Sequence, residues 1–227
     1  MSTCRLHPPG PRPDPALLDR ARALPTSILS DSMERAQGAT GLHWVPGAAW
    51  PRVAGPAFTV RTRPGDNLVV HRALDLAAPG DVLVVDGGGA LDRAVLGEIM
   101  ARYAAARGLA ALVVDGAVRD REGLAEGPLP VFARGVNHLG PYKDGPGELR
   151  GAVQAGGAVV RDGDLVVGDA DGVVVVPHER AAEVVAAGEA RLAAEEEMVR
   201  QIAAGTLDRS WVTAALTETP TAEPSVR

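Results

Sequence analysis

The segment ALVVDGAVRD, residues 111–120, decides the fold class, because an apolar run of strand length leads into a glycine turn and an adjacent Arg-Asp pair. A second run of similar form, GDVLVVDGGG, occupies residues 80–89. Between the two runs, residues 91–106 carry apolar side chains at helical spacing, and Gly108 is placed to end a helix. This strand–helix–strand order predicts an α/β fold.

Further elements are predicted on both sides of this unit. Residues 15–23 and 26–36 have helical patterns separated by Pro25. Apolar runs predict strands, which cover residues 54–61, 81–85, 111–114, 131–133, 153–160, 165–167 and 173–176. Residues 169–172, DADG, are interpreted as a hairpin turn rather than half of a calcium loop, because Val167 occupies a position that needs a ligand. The core is therefore mixed α/β with a β-rich second half.

One domain is predicted over residues 15–205, between a Pro-rich disordered leader (1–14) and a tail (206–227). Within this domain, residues 177–204 have the pattern of one long helix. Its apolar residues form a thin stripe among Glu and Arg, namely Val184, Val185, Leu192, Val199 and Ile202. Such a narrow stripe suits contact with a neighbouring subunit better than a place in a core, so the helix is predicted to mediate oligomerisation.

Composition and charge argue against several classes of protein. The single cysteine, Cys4, cannot build a disulfide framework or a cysteine zinc site, and a reducing cytoplasm suits it best. The first residues lack the apolar stretch of a signal peptide, and no window approaches about 20 apolar residues, so no membrane association is expected. The formal net charge of −6 argues against nucleic-acid binding.

Several familiar motifs are missing from the sequence. The five histidines show no HxH or HxxxH spacing, and no GxSxG, P-loop or HExxH motif occurs. The glycines at 87–89 resemble a dinucleotide-binding turn, but Asp92 stands where the third glycine is required. We therefore interpret them as a glycine turn that lets the chain pass close to another backbone.

The Arg119-Asp120 pair is the best candidate for a functional site, although such a pair also occurs in plain surface turns. Ligands of α/β proteins gather beyond the carboxyl ends of strands, which is where this pair falls. Arg119 could bind a carboxylate through two parallel hydrogen bonds, and Asp120 offers a hard oxygen for Mg²⁺ or Mn²⁺. If a helix begins at Gly97, its free N–H groups form a second anion site; the alternative is a packing glycine inside an uninterrupted helix.

Three segments taken in order, residues 80–89, DGAVRD at 115–120 and GDLVVGDADGV at 163–173, resemble the RraA-like family. This family includes 4-hydroxy-4-methyl-2-oxoglutarate aldolases and non-enzymatic regulators of ribonuclease E, and the resemblance covers residues 25–205. It implies a swivelling α/β/α-type sandwich with a mixed sheet and a long C-terminal helix. It also implies ring-like homotrimers, sometimes paired into hexamers.

The resemblance also implies roles for individual residues. The carboxylate of a small 2-oxo acid would be bound by Arg119 and by the backbone amides of Gly97, Glu98, Ile99 and Met100. Asp120 would be the direct ligand of Mg²⁺ or Mn²⁺. Glu98 and, from a neighbouring subunit, Glu195 would hold metal-bound waters. Asp120 favours the enzyme branch, because the regulators lack this acid. Gly123 departs from the acidic residue usual in the aldolases, and Glu122 stands one place early.

The expected activity is therefore that of a metal-dependent lyase. It would cleave 4-hydroxy-2-oxo diacids to pyruvate through a metal-stabilised enolate, with Arg119, Glu98 and Glu195 as the catalytic residues and oxaloacetate decarboxylation as a side activity. A ribonuclease-regulator-like binding protein and a metal-dependent hydrolase or isomerase of 2-oxo acids are the alternatives. A Schiff base is not expected, since the only lysine, Lys143, falls in a Gly/Pro loop away from the predicted site.

Overall fold

The computed structural model describes residues 2–35, 38–45 and 52–218. The chain divides into two compact units, one up to Glu189 and one from Ala190. Because this boundary falls within the long C-terminal helix, the limits of a single domain at 15–205 stay a prediction. Among the described residues, every helix is too short or too polar to cross a membrane.

Helices and strands alternate irregularly along the chain. The helices are α1 (Pro15–Ala23), α2 (Thr26–Asp31), α3 (Leu68–Leu76), α4 (Glu98–Ala106), α5 (Arg121–Glu126), a 3-10 helix (His178–Arg180), α6 (Ala181–Ala204) and α7 (Ser210–Ala215). The strands are β1 (Cys4–Leu6), β2 (His43–Trp44), β3 (Val53–Thr62), β4 (Val82–Asp86), β5 (Ala94–Leu96), β6 (Ala111–Val118), β7 (Val131–Val136), β8 (Gly147–Leu149), β9 (Val153–Ala155), β10 (Ala158–Val160), β11 (Leu165–Asp169) and β12 (Gly172–Val176).

A mixed sheet is built on four parallel strands, β3, β4, β6 and β7. Strands β8 and β11 pair antiparallel with β3, and β5 pairs parallel with the end of β6. Strand β6 extends beyond the last residue of β4, because Asp86 pairs with Asp115 and β6 ends only at Val118. This long central strand delivers the Arg119-Asp120 pair to the edge of the sheet.

Both faces of β4 and β6 are buried, which explains their uninterrupted apolar sequences. On one face, Leu83 and Val85 belong to an apolar cluster that includes residues of α3 and α4. On the other face, Val82 and Val84 belong to a second cluster with residues of β9 to β12. The predictions of a mixed α/β fold, a mixed sheet and a long C-terminal helix are confirmed.

The predicted helix over residues 91–106 is wrong in its first part. Ala94–Leu96 form β5 instead, and all three of its residues are buried. Burial of three consecutive side chains suits a strand, since a surface helix turns some of three successive residues toward solvent. Helix α4 begins only at Glu98, directly after Gly97.

Three other predicted segments differ from the structure. Helix α2 ends at Asp31 and not at residue 36, because Glu34 and Arg35 have positive φ angles of 60° and 61°; residue 36 lies outside the described residues. The strand predicted over 153–160 is a hairpin, turned by Gly156 and Gly157 at positive φ. The leader differs from the predicted disorder, since Cys4–Leu6 pairs with β8.

The apolar stripe of α6 divides into two parts. Val184 and Val185 are buried within the first unit, so this part of the stripe packs within the chain, contrary to the prediction. In the second unit, Val199 and Ile202 are 64% and 61% exposed. The prediction of an oligomerisation surface therefore applies only to the later turns of α6.

Candidate active site

A pocket of about 240 Å³ lies where β5 and β6 end. Four segments contribute its lining, which consists of Asn67, His71, Leu96, Gly97, Ile99, Met100, Arg119, Asp120, Gly140, Pro141 and Lys143. Five residues singled out in the sequence are thus brought together: Gly97, Ile99, Met100, Arg119 and Asp120. The pocket gathers two cationic side chains and one carboxylate, which is a charge pattern suited to an anionic ligand.

Backbone geometry holds Asp120 at the N-terminus of α4. Asp120 has a left-handed backbone conformation, with φ 59° and ψ 45°, and its Oδ2 accepts a hydrogen bond from the Glu98 amide at 3.2 Å. The Arg119 amide donates to the Leu96 carbonyl at 3.0 Å, which fixes β5 beside the Arg-Asp pair. About two fifths of each side chain, Arg119 and Asp120, is exposed, and Nε of the first lies 3.6 Å from Oδ2 of the second.

Gly97 allows this close approach because it has no side chain. A Cβ atom at this position would lie 2.3 Å from Oδ2 of Asp120, whereas its backbone is extended and open to any residue. The interpretation of Gly97 as the start of a helix is therefore confirmed. In the first turn of α4 the amides of Ile99 and Met100 have no acceptor within the helix, so they remain suited to an anion.

Glu98 lies beside the pocket, and its predicted role in holding metal-bound water stays a prediction. Oε1 accepts a hydrogen bond from Arg102 Nε at 2.7 Å, and the side chain is absent from the pocket lining of the described residues. Its carboxylate lies over Gly123, where a Cβ atom would fall 2.2 Å from Oε2. The glycine that departs from the aldolase pattern thus makes room for Glu98 in this position.

The prediction that Lys143 lies away from the site is wrong, because Lys143 lines the same pocket as Arg119 and Asp120. Its Nζ donates to Asn67 Oδ1 at 3.1 Å and lies 3.0 Å from His71 Nε2. Neither Asn67 nor His71 was recognised in the sequence as part of a site. The 76 positions that separate Asn67 from Lys143 explain why spacing gave no indication of the contact.

Asp66 brings these distant segments together. Its buried carboxylate accepts hydrogen bonds from the amides of Leu68, at the start of α3, and of Asp144 and Gly145, which follow Lys143, at 2.7–3.0 Å. Burial opposes the charged form of Asp66, but these hydrogen bonds and the Arg63 guanidinium outweigh it, so its pKa lies below the usual value. Asp66 therefore fixes Lys143 against α3.

We expect Asp66→Asn to lower the free energy of unfolding by about 3 kcal/mol. The NH₂ group of asparagine replaces one carboxylate oxygen, so the backbone amides that donate to that oxygen lose their acceptor. Chemical denaturation at pH 7 measures the loss. Asp144→Asn is the matched control, since the carboxylate of Asp144 is 74% exposed and pairs with the same Arg63. Equal losses in the two variants would contradict the assignment.

The contribution of Asp66 to stability should also depend on pH. Because the pKa of Asp66 is lowered on folding, this contribution is present above the unfolded pKa, about 3.9, and disappears as the pH falls through the lower folded value.

Two other acids of the quoted motifs support the fold. Asp115 accepts hydrogen bonds from Arg134 Nε at 2.5 Å and from the Gly156 amide at 2.8 Å, which ties the β9–β10 turn to β6. Asp169 accepts from both the amide and the hydroxyl of Thr26, at 2.9 and 2.6 Å, and so binds the start of α2 to β11. The predicted hairpin at 169–172 is confirmed by the pairing of β11 with β12.

Glu195 lies in the second unit, on α6, and its predicted role stays a prediction. Among residues 2–35, 38–45 and 52–218, no cluster of three or more His, Cys, Asp or Glu side chains could enclose a metal ion. Asp120, one partly exposed carboxylate facing a pocket, instead suits a hard cation that keeps most of its water ligands, as Mg²⁺ does.

Known proteins similar to this chain carry names of several kinds. Residues 26–175 match the family model described as RraA-like: Aldolase/RraA. A Halalkalibacterium halodurans protein with the provisional name 4-hydroxy-4-methyl-2-oxoglutarate aldolase is 38% identical over 183 residues, which are 80% of this chain and 86% of that protein.

Two solved structures show the same fold. An uncharacterized protein from Pseudomonas syringae pv. tomato str. DC3000 has a TM-score of 0.77 at 29% identity, over 87% of this chain and 97% of that one. Streptomyces coelicolor RraAS2, described as an unusual member of the RNase ES inhibitor RraA protein family, has a TM-score of 0.73 at 29% identity, over 83% of this chain and 98% of that one.

Proposed function

The chain belongs to the RraA-like family, Aldolase/RraA, and on this premise we propose that it is a divalent-metal-dependent lyase that cleaves 4-hydroxy-2-oxo diacids and releases pyruvate. The observation that carries the proposal is the pocket that combines Asp120 with two cationic side chains, Arg119 and Lys143. A protein that regulates another protein binds it through an extended surface, whereas this pocket suits a small dianion bound beside a metal ligand.

Asp120 is the residue proposed to hold Mg²⁺ or Mn²⁺. The bound ion would supply positive charge to the substrate oxygen that becomes negative when the carbon–carbon bond breaks. The Glu98 amide donates a hydrogen bond to Oδ2 of Asp120 at 3.2 Å and so orients it. The left-handed backbone of Asp120 turns the carboxylate toward the start of α4. A metal ligand oriented by a backbone donor in this way needs no rearrangement before binding.

The substrate is proposed to lie between the two cations. Arg119 and the free amides of Ile99 and Met100 would bind the carboxylate and keto oxygens of the 2-oxo acid end. Lys143 would bind the second carboxylate of a diacid. The family resemblance suggests a glutamate for the remaining step, in which the partner subunit's Glu195 or a water molecule takes the proton of the C4 hydroxyl.

The bond that breaks joins C3 and C4, and its electron pair stays with the pyruvate fragment as an enolate. Arg119, hydrogen-bonded to the developing oxyanion, stabilises that charge. Loss of CO₂ from oxaloacetate produces the same enolate, so decarboxylation of oxaloacetate is proposed as a side activity. Protonation at C3 of the enolate then gives pyruvate.

Pyruvate release from 4-hydroxy-4-methyl-2-oxoglutarate and from oxaloacetate tests this proposal. We expect turnover that EDTA removes and that Mg²⁺ or Mn²⁺ restores. Absence of pyruvate from both substrates would contradict the proposal and favour a ribonuclease-inhibitor-like binding protein, whereas other products would favour a hydrolase or isomerase.

The presence of Lys143 in the pocket raises imine formation as a second route to the same products. Borohydride reduction in the presence of pyruvate distinguishes the two routes. The metal route predicts that activity survives this treatment and that no lysine–pyruvate adduct appears in the mass spectrum of the intact protein. An adduct on Lys143 together with turnover in EDTA would show that the reaction proceeds through an imine of Lys143 and not through a metal ion.

We further propose a ring-shaped homotrimer or hexamer in which Glu195 completes a neighbour's site. The exposed Val199 and Ile202 of α6 support such contacts. Mixing inactive Asp120→Asn subunits with inactive Glu195→Gln subunits is then expected to restore part of the activity, because some sites in mixed rings receive both intact residues. Growth of one variant in ¹⁵N medium makes the two subunits differ in mass, and native mass spectrometry of the mixed rings then verifies exchange. An inactive mixture after proven exchange would show that each site is completed within one chain.

A further inference from the structure

We propose that His71 is a positioning residue: its neutral imidazole holds the Lys143 ammonium in the pocket, and this makes the pocket selective for 2-oxo acids with a second carboxylate. The inference rests on the proposed function, because it concerns the end of the substrate that does not react. It assigns a role to a residue of α3 that contacts neither the metal ligand nor Arg119 in the described hydrogen bonds.

The contact geometry of Lys143 carries the argument. An ammonium group has three N–H donors and no acceptor, so each polar neighbour must accept from it. Asn67 Oδ1 at 3.1 Å and His71 Nε2 at 3.0 Å occupy two of the three donors. Both acceptors stand on or next to the first turn of α3, which Asp66 fixes to the Lys143 loop. The third donor then has a restricted direction, as a binding group for one carboxylate requires.

This arrangement defines the protonation state of His71. Its Nε2 can accept from an ammonium only when the ring is neutral and its proton is on Nδ1. Burial and the positive charge of Lys143 lower the pKa of His71, and Asp75, one turn later on α3, opposes them. Asp75 itself accepts a hydrogen bond from the Tyr103 hydroxyl at 3.0 Å and lies 3.9 Å from Arg72. His71 is therefore neutral at pH 7.

Protonation of His71 would place two positive charges at hydrogen-bonding distance. Lys143 would lose an acceptor and gain a repulsive neighbour, so its ammonium would leave the position held by Asn67 and His71. Affinity for a diacid should then fall as the pH drops below about 6.5, the ordinary histidine value, through the lowered pKa of His71. A 2-oxo acid with one carboxylate uses Arg119 and the amides of Ile99 and Met100 but not Lys143, so its affinity should not respond to this change of pH.

Two ligands of equal chain length test the inference by calorimetry in the presence of Mg²⁺: 2-oxoglutarate, and 2-oxopentanoate, which lacks the second carboxylate. Neither has the 4-hydroxyl group, so neither is cleaved by the proposed reaction. For His71→Leu we expect the dissociation constant of 2-oxoglutarate to rise about tenfold and that of 2-oxopentanoate to change by less than about twofold. Arg72→Leu, an exposed substitution on the same helix, is the control and should match the wild type.

His71→Gln provides the second arm, because its amide oxygen accepts a hydrogen bond without titrating. It should recover most of the affinity that His71→Leu loses and abolish the pH dependence between pH 5.5 and 7.5, roughly one unit on either side of the ordinary histidine pKa. The inference is overturned if His71→Leu weakens both ligands equally, if it weakens neither, or if the wild type binds 2-oxoglutarate no better than 2-oxopentanoate. These binding results do not depend on turnover, so failure of the proposed lyase activity is recognised separately by the absence of pyruvate.

Discussion

Asp120→Asn should reduce metal-dependent pyruvate release by on the order of 10³-fold or more, because the substitution removes the proposed protein ligand of an ion that contributes several kcal/mol to the transition state. Asparagine is the appropriate replacement. Residue 120 has φ 59°, a left-handed conformation that Asn adopts readily and Ala does not. Asp120→Ala would add about 1 kcal/mol of backbone strain and so confuse folding with catalysis.

Calorimetric titration with Mg²⁺ and Mn²⁺ tests the assignment directly. We expect metal affinity to disappear in Asp120→Asn while the free energy of unfolding stays within about 1 kcal/mol of the wild type, because the residue is partly exposed. Glu122→Gln is the matched control, since this exposed acid stands two positions away in α5. Unchanged metal affinity in folded Asp120→Asn, or equal losses in both variants, would remove Asp120 from the metal site.

The sequence predicted the strands that carry this site and the Arg-Asp pair that follows one of them, because the signals for these features are local. Strands such as β4 and β6 are buried on both faces, so their apolar runs stand out from flanking glycines and acids. The Arg119-Asp120 pair follows one of these strands directly, and its place at the sheet edge follows from the α/β order. For Gly97 the sequence left two interpretations open, the start of a helix and a packing glycine, and the structure decides for the first.

Other parts of the fold depend on contacts that no local pattern contains. Ala94–Leu96 has the apolar character of a helix face, and only pairing with the end of β6 makes it a strand. Helix α3 escaped recognition, although its buried Val69, Val70 and Leu74 have helical spacing, because it follows a Gly-Asp-Asn turn that reads as a loop. Local propensity was overridden by tertiary packing in the first case and obscured by turn residues in the second.

The second cation of the pocket shows the same limit for the site. Lys143 stands among Gly, Pro and Asp, which correctly predicts a loop but says nothing of where that loop lies. Its position is set by Asp66, a buried carboxylate whose hydrogen bonds join two distant segments. The contacts of Glu98 were likewise not indicated by any local pattern: the residue begins α4, and its side chain pairs with Arg102 over Gly123.

Arg119→Lys is expected to lower kcat/KM for pyruvate release by about 10²-fold or more, the usual effect of removing one donor to an oxyanion. The guanidinium is planar and offers paired donors, whereas an ammonium is a compact charge on a flexible chain. The guanidinium of Arg119 also packs directly against the backbone of Gly140. A Cβ atom on Gly140 would lie only 2.8 Å from Nη1, so the missing side chain of this glycine makes room for the guanidinium. A lysine would leave this contact unfilled.

The comparison with Asp120 makes this prediction specific. Arg119→Lys should keep Mg²⁺ affinity within about threefold of the wild type, because Arg119 binds substrate and its Nε lies 3.6 Å from the Asp120 carboxylate, beyond a hydrogen bond. Arg121→Lys, the same substitution two positions later on the exposed start of α5, should leave both activity and metal affinity unchanged. Activity of Arg119→Lys within a few-fold of the wild type would make Arg119 a surface residue, and a parallel loss of metal affinity would transfer its role from substrate binding to the metal site.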